Sequence, residues 1–511
     1  MDSELKERSS LKWFILAGLA LFILFTRIHT YHEPLEPDIT IYAVIAHELL
    51  DGRELYSDLW DHKPPAVYIF YAVAEVLAGY GPAAIFMLNV AIAIISLFGV
   101  YLAARTICVD PRGGLWAAAF WALLSDNIHM HANQPNTEVF INACMIWGFA
   151  LLVQADNRMR IARYLGVGAL LALASLFKQV VILGAVFFAL AHFLFPAQSP
   201  ANRKRATLQI LCMALVGVVA WLAIFGYFAL MGRFGAFWDA VFAYNQMYSG
   251  DMFSNLYNWI FNWGSPFPGF FKTILPFLVL TLLGLFFGIS PPVRNMALFL
   301  GLLVSSMLAV ALPGMNHPHY YQLLLPPLSV GAGLGVGLFY KRGARNYAWL
   351  VHCFGIFILA IMLLNKLPLY SMPGESWSRI KYGDLYIESY ELGRDLDVIL
   401  QPDETFYALG MEAELYFVSK RRPPSGVISS IALLPGPFQE RLSERLLADL
   451  KRNPPEMFVI TKRYYGQLPV LDWASSNYVM FPGISDRENF TLAFHRDGRI
   501  VKQLNETGNN P

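Results

Sequence analysis

Charge is scarce in this chain. Of its 511 residues 56% are hydrophobic and only 15% charged, and the mean hydropathy is +0.44. That balance is too apolar for a soluble globular protein, so most of the chain belongs in lipid. Lys and Arg number 38 against 37 Asp and Glu, which leaves no field of one sign to attract nucleic acid. Recognition has to come from local sites. Cysteine is equally sparse: Cys108, Cys144, Cys212 and Cys353 lie in or beside apolar segments, with no C-x-x-C spacing. This argues against a disulfide framework or a structural zinc site. The first apolar run, Trp13 to Thr26, follows a charged start (Lys6, Arg8, Lys12), yet no A-x-A-like cleavage site follows it. It is expected to stay in the protein as a first membrane helix. Internal repeats and low-complexity tracts are lacking as well.

Long apolar runs are what the chain has in quantity. Windows of about 20 apolar residues mark bilayer-spanning helices. Eleven occur, near 13–30, 82–104, 114–127, 137–153, 164–178, 179–196, 207–230, 272–290, 296–313, 320–339 and 347–365. Short cytoplasmic loops should carry the Lys and Arg. From a cytoplasmic N-terminus the inner loops hold Arg105/Arg112, Arg158/Arg160/Arg163, Arg203/Lys204/Arg205, Arg294 and Lys341/Arg342/Arg345. The other loops, 31–81, 128–136, 231–271, 314–319 and everything after about 366, are acidic, aromatic or histidine-bearing and share the outer face.

Segment 64–80 is apolar enough to count as a span, but counting it would flip every later loop. It is expected as a helix lying in or dipping into the outer interface. Near residue 366 the composition turns charged and proline-punctuated, TFYALG and MFVIT reading as short buried strands and ERLLADLKR as a helix. The expected architecture is therefore a polytopic α-helical membrane module over 1–365 and an extracytoplasmic α/β domain over 366–511.

The first outer loop, YHEPLEPDITIYAVIAHELLDGRELYSDLWDHKPPAVYIFY, holds more charge than any other stretch beside a membrane helix. Asp38 opens an amphipathic helix whose apolar positions Ile41, Val44, Ile45 and Leu49 recur at helical spacing. An Asp there is also a favoured N-cap, and the two roles are compatible. Asp58, Asp61, His62 and Lys63 cluster both signs of charge before the rigid Pro64-Pro65. These are either solvated loop charges with Lys63 snorkelling, or a site in which Lys63 offers a compact cation to a phosphate.

Asp38, the amphipathic helix, the Asp51-Gly52 turn and Asp61-His62-Lys63-Pro64-Pro65 resemble the first outer loop of the protein O-mannosyltransferase and aminoarabinose-transferase superfamily, glycosyltransferases of the GT-C fold. The resemblance implies that Asp38 is the catalytic base and that Lys63 contacts a lipid phosphate. It extends to HANQPNTEVFIN, which places Glu138 like the family's second acidic residue, and to Lys178 in GALLALASLFKQVVI at an outer helix junction. PHYYQLLLPPL, with His319, Tyr320, Tyr321 and Gln322, is similar to a late loop that helps to bind the carrier phosphate. YALGMEAELYFVSKRRPP and NPPEMFVITKR look like the outer domain of many bacterial members. One departure matters: many members have Asp-Glu where this chain has Asp38-Ile39, so a second carboxylate would have to come from Glu138, Asp61 or Asp58.

Plainer readings stand beside these. Glu138 is also an early-turn acid that suits the helix dipole. Lys178 interrupts an apolar run, and a charge in mid-span costs roughly 2.5–3.5 kcal/mol, less at a break between two helices. His319 and the tyrosines also fit an aromatic interfacial belt, as do Trp238, Tyr244, Tyr248, Tyr257, Trp259 and Trp263, although aromatic faces stack on sugars too. Gly331, Gly333, Gly335 and Gly337 read as close helix packing rather than a phosphate loop. Asp395-x-Asp397 is not taken as a nucleotide-sugar metal site.

The resemblance implies an inverting transfer from a polyprenyl-phosphate-linked sugar to an acceptor hydroxyl on a lipid, glycan or protein. Lys63, His319, Tyr320 and Lys178 would hold the donor phosphate, and Asp58, Asp61 and His62 would support the first loop. No cofactor is required, though a divalent cation between Asp38 and Glu138 is allowed by the wider fold. The absence of a dinucleotide or Walker fingerprint fits a lipid-linked donor. A transporter, flippase or ligase for lipid-linked sugars is the alternative. The expected location is the inner (plasma) membrane of a bacterial or archaeal cell, where the N-x-T sequons at Asn489 and Asn505 would carry no glycan.

Overall fold

The computed structural model describes residues 2–108, 111–154, 160–197, 202–262, 269–287, 291–341, 348–462 and 468–506. Arg158, Trp263, Arg342 and Arg345, singled out above, lie outside the described residues. The protein is mostly helical and divides into two units. The first comprises Met1–Tyr31, Ile85–Tyr227 and Tyr248–Met372; the second gathers His32–Ala84, Phe228–Met247 and Pro373–Pro511.

In the first unit each of the eleven apolar windows holds a helix. Among the described residues five stretches are long and apolar enough to cross a bilayer, Ser10–Ile28, Pro82–Cys108, Arg203–Leu230, Val293–Ala311 and His352–Tyr370, which makes this a multi-pass membrane protein. The remaining helices are shorter, and two depart from the expected bounds. Lys178 ends Ile161–Phe177 in an extended conformation (φ −158°), so the chain breaks there before Ile182–Leu194 begins. Pro318–Leu324 is a 3₁₀ helix ahead of Leu325–Lys341, with Pro318 at its start.

The glycine stripe in Leu325–Lys341 explains how that helix sits in the bundle. Gly331 and Gly335 lie against Thr281 and the Leu280 carbonyl, so a Cβ at either would collide with the helix Phe270–Phe287. Gly333 and Gly337 turn the other way, where a Cβ would stand 2.6 Å from the Ala117 Cβ and 2.8 Å from the Cys108 sulfur. Spacing of four places each pair on one helix face, and the missing side chains let two neighbours approach at once.

The second unit carries a four-stranded sheet in the order β1-β2-β4-β3, with β1 Phe406–Leu409, β2 Met457–Thr461, β3 Tyr478–Val479 and β4 Phe490–His495. β1 and β2 pair in parallel, Phe406 opposite Met457, and both are almost wholly buried, as their unbroken apolar runs require. β4 pairs antiparallel with β2 and β3. The helix Gln439–Arg452 lies between β1 and β2 in the chain and buries Leu442, Leu446 and Leu450 at helical spacing. In the same unit the helices Pro37–Leu50 and Ala66–Ala78 pack together. Ala66–Ala78 buries Val67, Tyr68, Tyr71 and Ala74 and exposes Ile69, Val73, Val76 and Leu77 as an apolar stripe on its other side.

Candidate active site

Residues 33–40 are buried with one exception, Asp38, which is half-exposed. The helix Pro37–Leu50 starts two residues earlier than an Asp38 cap would require. Glu36 occupies the cap position, no side chain caps the helix, and Pro37 supplies the first turn, where a missing N–H costs nothing. Asp38 therefore sits in that first turn beside the positive end of the helix dipole, which favours its carboxylate. Its charge is felt by His62, Tyr68, Tyr71 and Tyr386.

The chain then turns at Gly52, whose φ of +89° suits glycine, and enters the loop that ends in Pro64-Pro65. This loop is pinned at many points. Tyr56 is held at φ +68°, buried between Phe228 and Phe237, and its hydroxyl donates to the Lys63 carbonyl at 2.7 Å. Asn245 donates to the His62 carbonyl at 2.6 Å. Trp60 N–H donates to the Gly426 carbonyl at 3.0 Å, and Gly426 lies so close to the Asp58 carbonyl that a side chain there would collide. A backbone held in a sparsely populated conformation by its surroundings is characteristic of functional loops.

Within it, Asp61, His62 and Lys63 form one buried relay. Asp61 Oδ1 lies 3.0 Å from His62 Nδ1, Lys63 Nζ lies 3.0 Å from His62 Nε2, and Tyr68 donates to Asp61 Oδ2 at 2.7 Å. Burial alone would raise the Asp61 carboxyl, but the hydrogen bond and charge of His62, the charge of Lys63 and the Tyr68 hydroxyl outweigh it and hold the group below its ordinary value. Burial and the adjacent Lys63 push His62 down, against the pull of Asp61. A neutral His62 accepts the Lys63 ammonium at Nε2 and turns its Nδ1 edge toward the Asp61 carboxylate. Asp58 does not join them. It is exposed, and its carboxylate accepts the Glu54 N–H at 2.9 Å within its own turn.

The remaining expected residues lie in the first unit. Asn136 caps the helix Thr137–Val153, so Glu138 falls in its first turn, fully buried. Glu138 Oε1 pairs with Lys178 Nζ at 2.9 Å, and Oε2 accepts from Thr137 at 3.0 Å. The same ammonium stands 3.3 Å from the centre of the Tyr320 ring. His319, Tyr320, Tyr321 and Gln322 are buried, not spread along an interface. Gln322 holds the turn in place, donating to the Met130 carbonyl at 2.8 Å while its own carbonyl accepts from Asn142 at 2.9 Å. The structure thus joins Glu138, Lys178 and Tyr320 in one cluster, and Asp61, His62 and Lys63 in another near Asp38.

Beside the first cluster, Ile161–Phe177, Ile182–Leu194 and Arg203–Leu230 enclose an apolar cavity of about 420 Å³, lined among others by Leu171, Ala185, Ala214, Gly217 and Trp221. Its polar contribution is Ser175, which accepts the Trp221 N–H at 2.9 Å three residues before Lys178. The aromatics of the long loop divide: Tyr244 is buried, whereas Trp238 and Tyr257 are exposed. The helix Met252–Phe261 buries no residue and exposes Met252, Phe253, Tyr257, Ile260 and Phe261.

Sequence reasoning missed Tyr56, Tyr68 and Asn245, which fix the Asp61–Lys63 loop. Only the hydroxyls of two tyrosines in apolar surroundings and a lone Asn in an aromatic loop marked them. It also missed Glu33, Glu36, Glu412 and Glu414, four buried carboxyls in the second unit.

Residues 62–224 match the family model described as dolichyl-phosphate-mannose-protein mannosyltransferase. No curated protein matches the chain significantly. Among solved structures, ArnT from Cupriavidus metallidurans bound to undecaprenyl phosphate is similar with a TM-score of 0.59 and 15% identity, over 94% of this chain and 97% of that one. The same protein in the apo state gives 0.60 and 16%, over 95% and 98%. The archaeal oligosaccharyltransferase AglB from Archaeoglobus fulgidus, in complex with an inhibitory peptide and a dolichol-phosphate, gives 0.52 and 13%, over 96% and 75%. The resemblance to the protein O-mannosyltransferase and aminoarabinose-transferase superfamily is thus carried by a family match across residues 62–224 and by a shared fold along most of the chain.

Proposed function

We propose that this protein is a membrane glycosyltransferase that moves a sugar from a polyprenyl-phosphate carrier to an acceptor hydroxyl at the extracytoplasmic face. The observation that carries the reading is Asp38: a half-buried carboxylate in the first turn of a largely buried helix, beside the pinned Asp61–His62–Lys63 loop. Asp38 takes the proton of the acceptor hydroxyl as its oxygen attacks the anomeric carbon. The bond from that carbon to the phosphate oxygen breaks, the electron pair leaves with the phosphate, and the single displacement inverts the anomeric centre. A positioned base contributes typically 10²–10⁴-fold. Stabilisation of the leaving phosphate contributes more, and Lys63 is assigned to it. His62 and Asp61 hold Lys63 in place, which spares the flexible lysine an entropic cost at the moment of reaction. As written, the displacement needs no metal ion.

The apolar cavity beside Ser175 suits an isoprenoid tail, which cannot leave the bilayer. Lys178, His319 and Tyr320 are the phosphate candidates of that unit. Lys178 ranks behind Lys63 because its ammonium is in direct contact with the fully buried Glu138 carboxylate at 2.9 Å. The charge pattern of the loops supports a cytoplasmic N-terminus and eleven spans in the inner membrane, and the apolar stripe on Ala66–Ala78 supports a helix resting in the outer interface.

Proteoliposomes holding the purified protein and a panel of polyprenyl-phosphate sugars test the class. Release of free polyprenyl phosphate together with a glycosylated acceptor is expected. Lipid that moves between leaflets unconsumed would identify a flippase instead.

A further inference from the structure

Four carboxyls, Glu33, Glu36, Glu412 and Glu414, are buried in the second unit beside the half-buried Lys381, Tyr382 and Tyr386, and three of these contacts grip the backbone or side chains just ahead of Asp38. Glu414 Oε1 accepts the Leu35 N–H at 2.7 Å. Lys381 pairs with Glu33, and the Tyr382 hydroxyl reaches Glu36 Oε2 at 3.5 Å. Gly374 presses on the Glu33 backbone, where a Cβ would stand 3.0 Å from both N and Cα. Glu36 and Pro37 begin the helix whose first turn holds Asp38, so whatever fixes Leu35 fixes the direction in which that helix starts.

Of these contacts Glu414 is the odd one. Its second oxygen, Oε2, is buried and has no hydrogen-bond partner among the described residues. We propose that Glu414 is a positioning residue for Asp38, working as the neutral acid: its carboxyl receives the Leu35 N–H and holds the turn before Pro37, and ionisation loosens that turn.

The surroundings favour the neutral form. Burial pushes the Glu414 carboxyl well above its ordinary value, against the Leu35 hydrogen bond, and the charges of Glu33 and Glu412 push the same way. Glu414 is the only charged residue of its short helix Glu414–Ser419, whose Tyr416 hydroxyl accepts the Ala408 N–H. From the segment before Pro37 it meets Glu33, and from the preceding turn Glu412, which takes Thr461 and the Met411 N–H; Glu36 acts with it on Tyr386. The helix Leu385–Ile399 brings Tyr386, while its Glu388, Asp395 and Asp397 are engaged by Asn489, Arg487 and Arg421. The helix Pro37–Leu50 brings Asp38, with His47 and Glu48 committed to Glu75 and to Arg53 and Arg422. Lys381 is committed to Glu33. An ionised Glu414 would add one more negative charge to this group with a single hydrogen bond to support it, which is why the neutral acid is the working form.

The proposal rests on Asp38 being the base, and its test separates the two. Hydrogen–deuterium exchange of the segment holding residues 32–38 needs no activity. E414A should speed its exchange about fivefold or more, the loss of one supporting hydrogen bond. E414Q, which keeps a neutral acceptor, should restore protection and hold it between about pH 6 and 9, whereas wild type loses protection over that range relative to E414Q at matched pH. In transfer assays E414A should lower kcat about tenfold or more with KM little changed, and E414Q should recover it and remove the alkaline decline. E414Q failing as E414A fails, sharing the wild-type alkaline decline, or E414A leaving exchange unchanged would each overturn the proposal. Should E414A not fold, the comparison of E414Q with wild type decides alone. Activity that survives Asp38→Asn would instead refute the reading of Asp38, whatever Glu414 does to exchange.

Discussion

Glu138 has no exposed surface, and its charge is balanced by the Lys178 ammonium at 2.9 Å. Replacing Lys178 by Met keeps a long flexible chain over the Tyr320 ring but takes the paired cation away from the buried Glu138 carboxylate. Removing one partner of a buried pair costs about 3–5 kcal/mol, because the remaining charge stays desolvated without compensation. Lost attraction between the ammonium and the ring adds no more than about 2 kcal/mol. Removing both charges at once, in E138Q/K178M, should bring stability back to within about 1 kcal/mol of wild type, since no buried charge is left. Unfolding in mixed detergent micelles, run on wild type, both single variants and the double variant, measures the coupling directly. A K178M protein as stable as wild type, or a double variant that merely sums the single losses, would refute the account of this pair.

Asp61 is held below its ordinary value, so its stabilising contribution is present above the unfolded-state value near about 4 and is lost as pH falls through the folded value. Thermal midpoints followed downward from about pH 7 should therefore fall in wild type more steeply than in Asp61→Asn, which has already lost the contribution. Gly335→Ala pushes a methyl group into the Leu280 carbonyl and should cost about 1–3 kcal/mol by overpacking, whereas Gly217→Ala meets nothing within 4 Å and should be close to neutral. Comparing their thermal midpoints checks this. In a cysteine-free background, Asp51→Cys and Lys420→Cys should react with an impermeant thiol reagent from outside intact cells, and Lys204→Cys only after permeabilisation. All three are exposed, so labelling of Lys204→Cys with the others would undo the proposed topology.

What the sequence made legible was local. The strands FYAL and MFVIT and the helix ending LLADLKR announce themselves by unbroken apolar runs and by leucines at helical spacing. The break at Lys178 follows from the cost of a charge in mid-span, and the glycine stripe from the need for close approach. What stayed hidden depends on partners far away in the chain. Glu414 and Leu35 are 379 residues apart, and no periodicity in either segment encodes their hydrogen bond. For the same reason a division of the chain near residue 366 does not describe the second unit, which draws in 32–84 and 228–247. Asp38 looked like a cap because caps and first-turn acids share residue types. Only the placement of Pro37 and Glu36 separates the two roles. His319 and the tyrosines after it fitted an interfacial belt as well as a phosphate site for a similar reason, since a buried polar aromatic and an interfacial one look alike until Met130, Asn142 and Lys178 are seen around this turn.

The central claim is that Asp38 is the base of a lipid-linked sugar transfer. Transfer of radiolabelled sugar from a panel of polyprenyl-phosphate sugars, in membranes holding equal amounts of wild type or Asp38→Asn, tests it most directly. Asn keeps the shape and removes the proton acceptor, so the account predicts that transfer falls by about 10²-fold or more while the protein stays folded. Transfer that persists at the wild-type rate in Asp38→Asn would contradict it.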